Sequence, residues 1–262
     1  IFLEPRQGGN RSWYQNMGWY YRRMVVPRIL SQCEKIITVS HFECNRIREA
    51  LQLPKDKITA IYNGYSEHFR PLSETLSITR KYIDDDDYIF FLGNTDPKKN
   101  VARTLKAYSL YLKQSDKKRP LLIADLSKDK LDAILREQQI EEIKPYLSYP
   151  GYIPNKDLAY LYNGAFVFLY TSLRESFGIP MLEAMACGTP VITGNTSAMP
   201  EIAGEGGILV NSLNAKEIAE KILYLEQDQI FYQNQIKYGL NRVQKFSWAQ
   251  TAENLLSLYK TI

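Results

Sequence analysis

From about residue 20 to the C-terminus, short runs rich in β-branched and aromatic residues alternate with longer segments of helical period. Strands this short and apolar, each followed by a helix, need cover on both faces, which means a parallel sheet in an α/β fold. The strand candidates are 35–40, 58–62, 88–93, 121–125, 166–170, 190–193 and 207–210. Between them lie helix candidates at 41–51, 101–113, 128–138, 156–163 and 215–227. In the second of these Val101, Leu105, Tyr108 and Leu112 share one face, and Asn100 stands where an N-cap is expected. Regularity lapses after Ile61-Tyr62-Asn63-Gly64, so 65–71 reads as a linker and a domain boundary falls there, dividing 1–70 from the remainder of the chain.

Composition narrows the function classes. A net charge of +4 on 262 residues is too small to argue for nucleic acid; it suits an anionic ligand or plain solvated surface. Three cysteines (Cys33, Cys44, Cys187) form no close pair and leave an odd thiol, which points away from a disulfide framework or zinc ribbon and toward a reducing, cytoplasmic compartment. The two histidines, His41 and His68, have no carboxylate or thiol at ligand spacing, so no structural metal is expected. No apolar run reaches bilayer length. The opening Ile1-Phe2-Leu3-Glu4-Pro5 has neither an initiator methionine nor a signal-peptide pattern and reads as cut from something longer.

Three local features admit a sharp and a plain reading. The run Asp84–Asp87 could hold a divalent cation beside a nucleotide sugar, but it precedes the strand 88–93, at the end of a sheet opposite a ligand crevice, and reads as a solvated acidic turn. Trp13, Tyr14, Trp19, Tyr20 and Tyr21 interleave with Arg11, Arg22, Arg23 and Arg28. That mixture suits peripheral docking at an anionic membrane face, and equally a helix packing its rings into a neighbouring domain, which is the reading preferred here. Gly8-Gly9 opens no helical pattern and reads as a loop.

Open α/β sheets bind ligands beyond the C-terminal ends of their strands. The loop after strand 166–170 reads Thr171-Ser172-Leu173-Arg174-Glu175-Ser176-Phe177-Gly178 and leads into a short helix over 179–187, with Pro180 in its first turn and Gly188 just past its end. The first amides of such a helix, from Phe177, Gly178 and Ile179, form a cradle for a diphosphate, and Gly178 permits close backbone approach. Glu183 is the only charge in that helix, set among Met181, Leu182, Met185 and Ala186. A carboxylate there needs donors: two ribose hydroxyls would serve, as would a backbone group or a core Lys or Arg. After strand 88–93 comes Gly93-Asn94-Thr95-Asp96-Pro97-Lys98-Lys99-Asn100, whose lysines could neutralise phosphate or merely keep a turn soluble. A third loop, Pro150-Gly151-Tyr152-Ile153-Pro154-Asn155, offers an aromatic ring and backbone groups to a flat base.

Taken together, these loops resemble the family-four retaining glycosyltransferases of the GT-B fold, built from two Rossmann-like domains. Glu175 and Glu183 match the family's Glu-x₇-Glu motif inside the run 175–192, and the match continues through 197–204 and 207–210. Upstream, Ile36–Ser40 and Ile61–Gly64 resemble the end of the family's first domain, and Pro97-Lys98-Lys99-Asn100 its Pro-Arg-Lys-Asn loop. The resemblance implies a nucleotide-sugar-binding domain over 71–246 and a last helix, 247–262, returning to the first domain. It implies that Glu183 holds the ribose, Glu175 contacts the transferred sugar, and Lys99, helped by Lys98 and the amides of Phe177 to Ile179, takes the diphosphate. Gly93, Asn94, Tyr152, Ile153 and Ser176 complete the donor site, and Lys99 and Glu175 are the residues expected to act in catalysis. No cofactor or metal is implied; the donor is a nucleotide diphosphate sugar, GDP-mannose or a UDP-sugar. The acceptor is a glycan or lipid-linked glycan, handled in the cytoplasm or at the inner membrane face during bacterial polysaccharide or glycoconjugate synthesis. Two departures stand out. Asn94 occupies a position where many relatives have arginine, and the family's glycine-rich loop and His-Asp segment are not in this sequence. The alternative is a donor-binding module without activity of its own.

Overall fold

A computed structural model describes residue 3, residues 13–94 and residues 96–261, with the side chains of Gln15 and Asn16 left aside. The Gly8-Gly9 loop, Arg11 and Thr95 lie outside the described residues. Contacts divide the chain into a smaller unit, Ile1–Tyr62 with Thr251–Ile262, and a larger one, Asn63–Gln250.

In the smaller unit, α1 (Trp13–Gln32) precedes β1 (Ile36–Thr38), α2 (His41–Leu51) and β2 (Ile58–Ala60). The two strands pair in parallel, Ile36 opposite Ile58, and bury those side chains with Cys44 of α2. Ser40 caps α2 by accepting the Glu43 amide, and Gln52 closes it in the left-handed region. On α1 aromatic residues fall on every side of the helix, so no single stripe collects them: within this chain Trp13, Tyr14, Tyr20 and Tyr21 are more than half exposed, while Trp19 is partly buried.

The larger unit runs α3 (Leu76–Thr79), β3 (Tyr88–Leu92), α4 (Val101–Leu112), β4 (Leu121–Ala124), α5 (Lys128–Gln138), β5 (Leu147–Gly151), α6 (Asn155–Gly164) and β6 (Ala165–Tyr170). It continues with α7 (Ile179–Ala186), β7 (Val191–Gly194), α8 (Met199–Ala203), β8 (Gly207–Val210), α9 (Ala215–Gln227), α10 (Gln229–Val243) and the start of α11 (Trp248–Tyr259). Six strands form one sheet in the order β5-β4-β3-β6-β7-β8, every pair parallel. From β3 the chain winds outward through β4 to β5, then returns to β6 on the other side of β3 and winds outward through β7 and β8. The β3–β6 boundary is therefore the switch point at which such sheets open a crevice beyond their C-terminal ends.

Alternation along β3 assigns its side chains to two layers. Ile89 and Phe91 join Leu105 of α4, Leu131 of α5 and Ile218 of α9 in one core cluster. Phe90 turns the other way, its ring 5.3 Å from Tyr162 of α6 and 5.6 Å from Phe168 of β6. Full burial of each such ring contributes on the order of 1.5–3 kcal/mol. Phe69, from the segment expected to be a linker, packs on Tyr162 from the same side and is itself buried.

Four elements of this unit are absent from the sequence-based assignment: α3, β5, α8 and α10. The acidic turn before β3 is engaged by arginines: Arg80 pairs with Asp86 at 2.7 Å, and buried Arg119 bridges Asp87 and Glu226. Among the described residues no helix is long and apolar enough to cross a membrane.

Candidate functional site

Two loops leave the switch point. The first follows β3, where the Gly93 amide donates to Ala124 O and the chain makes a single 3₁₀ turn over Pro97–Lys99. Asp96 shapes that turn by accepting the Lys98 amide on its carboxylate. The turn sends the two lysines apart. Lys98 stays outside, 3.6 Å from the Asp96 carboxylate with both side chains 43% exposed. Lys99 turns inward: its Nζ lies 2.8 Å from Glu175 Oε1 and 5.0 Å from the centre of the Tyr170 ring. At 16% and 13% exposure, Lys99 and Glu175 form a largely desolvated ion pair. Removing one partner of such a pair strands a charge in a poorly solvated place.

The second loop follows β6 and holds Glu175. Its shape comes from neighbouring loops. The Leu173 amide donates to Lys98 O at 2.7 Å, the Glu175 amide donates to Ser197 Oγ at 3.0 Å, and Thr196 Oγ1 donates to Leu173 O at 3.1 Å. Ser176 is exposed, while Phe177 is buried with its ring edge-on to Phe246. Gly178 then opens α7 at φ +110°, in the left-handed region that favours glycine. A Cβ there would also stand 2.5 Å from Met181 Cε. Gly178→Ala is expected to cost about 1–3 kcal/mol of stability, read as a lower urea midpoint at unchanged slope. In the first turn of α7 Pro180 has no N–H and the Met181 amide donates to Gly178 O at 3.0 Å, so what the turn presents to an anion is the Ile179 amide and the positive end of the helix dipole.

Glu183 sits one turn further in. Met181, Leu182, Met185 and Ala186 around it are all buried. Among the described residues no cation pairs with it; its partner is the hydroxyl of fully buried Tyr162, donating to Oε2 at 3.3 Å. Burial pushes the Glu183 carboxyl up to about 7, against a smaller lowering by the Tyr162 hydrogen bond. Of the readings open in the sequence, pairing with a core Lys or Arg is thus not realised. A buried carboxyl raised this far, with one hydroxyl donating to it, is a group short of partners.

Asn100 departs from expectation. It precedes α4, yet its side chain makes no cap; the backbone is left-handed at φ 60°. Nδ2 instead donates to Thr171 O at 3.1 Å and to Ser212 O at 2.7 Å. The third loop contributes unevenly: Tyr152 is 77% exposed just past β5, whereas Ile153 is buried. Asn94 accepts the Asp96 amide on its own Oδ1, an Asx turn. Tyr162 and Tyr170 were not picked out in the sequence. Tyr170 had a signal, a polar-tipped ring ending a strand at the ligand edge; Tyr162, inside a helix, had none.

Glu175 and Glu183 thus flank the opening of a helix at the switch point of a parallel sheet, with an inward lysine from the neighbouring strand's loop. The description "Glycosyl transferases group 1" matches residues 76–242, more than half of the chain. The chain belongs to that family. "Glycosyltransferase Family 4" matches residues 6–68. Among curated relatives of this group 1 transferase is the O-antigen chain mannosyltransferase B of Escherichia coli, 30% identical across 92% of the chain and 64% of the relative. The O-antigen chain mannosyltransferase RfbU of Salmonella typhimurium is 26% identical across 79% of the chain and 55% of its own length. The chain therefore spans less than two thirds of these relatives. Among solved structures, sucrose-phosphate synthase from Thermosynechococcus elongatus superposes with a TM-score of 0.77 at 24% identity, covering 92% of this chain and 61% of that one. Anabaena Alr3699/HepE in complex with UDP-glucose gives 0.75 at 16% identity, covering 88% and 64%. These glycosyltransferase structures establish the GT-B-type fold of the group 1 transferase.

Proposed function

We propose that this chain binds a nucleotide diphosphate sugar beyond the C-terminal ends of β3 and β6 and serves transfer of its sugar, with retained anomeric configuration, to an acceptor hydroxyl. The observation that carries this reading is the Lys99–Glu175 pair at 2.8 Å beside the opening of α7. A diphosphate entering there meets Lys99 and the positive end of α7, which offset charge as the bond from the anomeric carbon to phosphate oxygen breaks. Glu175, released from Lys99, orients hydroxyls of the sugar. Glu183 takes the ribose hydroxyls. The new bond forms from the acceptor oxygen to the anomeric carbon, and the acceptor proton passes to the departing phosphate oxygen. No side chain is asked to be a nucleophile.

The mannosyltransferase names of the relatives favour GDP-mannose as donor, with a UDP-sugar as the competing choice and a glycan, free or lipid-linked, as acceptor. Isothermal calorimetry with GDP-mannose and UDP-glucose tests this directly. One of the two is expected to bind in the range of about 1 μM–1 mM, where enzymes ordinarily meet their substrates. Failure of both to bind by about 1 mM overturns the reading.

A further inference from the structure

Asn100 touches neither candidate catalytic side chain, yet it stands at the joint between them. It immediately follows Lys99, and its amide nitrogen is bonded to the carbonyl of Thr171, the residue that opens the Glu175 loop. The second N–H of the same nitrogen goes to Ser212 O, beyond the end of β8. The residue is only 5% exposed, so neither bond has water as a ready substitute. Around it the two loops are stitched twice more. Lys98 O accepts the Leu173 amide at 2.7 Å, and the hydroxyls of Thr104 and Thr171, both buried, lie 2.6 Å apart.

The chemistry of this position admits few residues. It needs a short stem, two N–H donors on one atom, and tolerance of φ 60°. Asparagine meets all three: its amide carries two donors, and it visits the left-handed region more readily than other non-glycine residues. Aspartate shares the shape and the backbone tolerance but turns both donors into acceptors facing two carbonyl oxygens. Serine and threonine offer one donor, and glutamine is a methylene too long.

We infer that Asn100 is a positioning residue for the reaction, fixing the turn that carries Lys99 against the loop that carries Glu175 by bonding the loops after β6 and β8 together. This rests on the donor-binding reading above. Its mechanical content is that Asn100 acts through Lys99. A charged group misplaced by an ångström loses much of its effect on a bound phosphate, by as much as about 10²-fold in favourable cases.

The test is a double-mutant cycle on nucleotide binding, with UDP and GDP as probes and calorimetry as the readout. Asn100→Asp is expected to weaken the nucleotide that the unaltered chain binds by roughly tenfold or more. Lys99→Ala weakens it as well, and the double variant is expected to bind within about twofold of Lys99→Ala alone, since residues acting as one unit are not additive. Should Asn100→Asp not fold, Asn100→Gly, which keeps the backbone angle and removes both donors, is read in its place. Losses that add in the double variant overturn the inference, because a residue that only stabilises the fold acts independently of Lys99. So does normal binding by Asn100→Asp or Asn100→Gly while Lys99→Ala is impaired, and the donor reading then survives. If the unaltered chain binds neither UDP nor GDP, the donor reading fails and this inference with it.

Discussion

Replacing Lys99 by alanine is expected to lower sugar transfer by about 10²–10³-fold, the usual cost of deleting one preorganised donor to a developing oxyanion. The physical reason lies in the ion pair. Lys99 is held inward by Glu175 at 2.8 Å and by the face of Tyr170, so its charge is aimed before any ligand arrives. An aimed charge in a partly dry site costs little reorganisation when the diphosphate leaves. Lys98, 43% exposed and paired with Asp96 across 3.6 Å, is the natural control. Its alanine variant should lie within a few-fold of the unaltered chain, as surface pairs contribute about 0–1 kcal/mol. Lys99→Ala also leaves Glu175 without its cation, so a lower melting temperature should accompany the lost rate. Steady-state kinetics settles the matter: a Lys99→Ala rate within threefold of normal would remove Lys99 from the mechanism.

Glu183 carries the second large effect, and it depends on pH. Glu183→Gln should weaken donor binding about 10²-fold, since hydrogen bonds to a charged group contribute roughly 1.5–3 kcal/mol each and two ribose hydroxyls are involved. In the donor-free chain burial raises the Glu183 carboxyl from 4.5 to about 7. If the proposed ribose clamp works as the carboxylate, donor affinity should rise with pH up to about 7 and level off above it, falling roughly tenfold per unit well below. Stability runs the other way. A carboxyl raised in the folded state favours folding fully below its ordinary value, and that contribution is lost as pH climbs through about 7. Glu183→Gln should therefore be the more stable protein at pH 8 while being the poorer binder, by a margin on the order of 2 kcal/mol. The titratable neighbours facing Glu183 are Tyr162, Tyr170 and Cys187, all pushed above their ordinary values by burial and so uncharged through this window. Calorimetry from pH 5.5 to 8.5, beside urea denaturation over the same range, separates the two trends. A flat affinity profile that Glu183→Gln reproduces would sink the ribose assignment.

Much of the sheet was legible because central strands are apolar on both faces and separated by strongly periodic helices. β5 was not, and its residues explain why. Leu147-Ser148-Tyr149-Pro150-Gly151 contains a proline and a glycine, tolerable because this strand lies at the sheet's edge. α10 escaped because its polar residues fall all round and Gly239 interrupts it. That glycine is explained only in three dimensions, where Met185 of α7 packs against it. In the candidate site the isolated charge of Glu183 in an apolar helix was a local signal. What local sequence could not supply was the partner. Which of two adjacent lysines points inward depends on a single 3₁₀ turn. Asn100 misled for a definable reason: a residue just before a helix is read as its cap, and only the left-handed backbone sends the amide elsewhere.

The order of strands in the sheet also bears on how the molecule reaches its native state. Lys99 and Glu175 lie 76 residues apart in sequence, and the loops bearing them become neighbours only through the pairing of β3 with β6. The intervening segment forms β4 and β5 on the far side, so that pairing is a long-range closure that returns across the sheet. Contacts of this kind form slowly and late relative to local ones. The ability to bind nucleotide should consequently be among the last properties regained on refolding, after helical signal and hydrophobic collapse. The chain cannot hold half of this site: until its middle strands meet, the lysine and the glutamate belong to separate folding events.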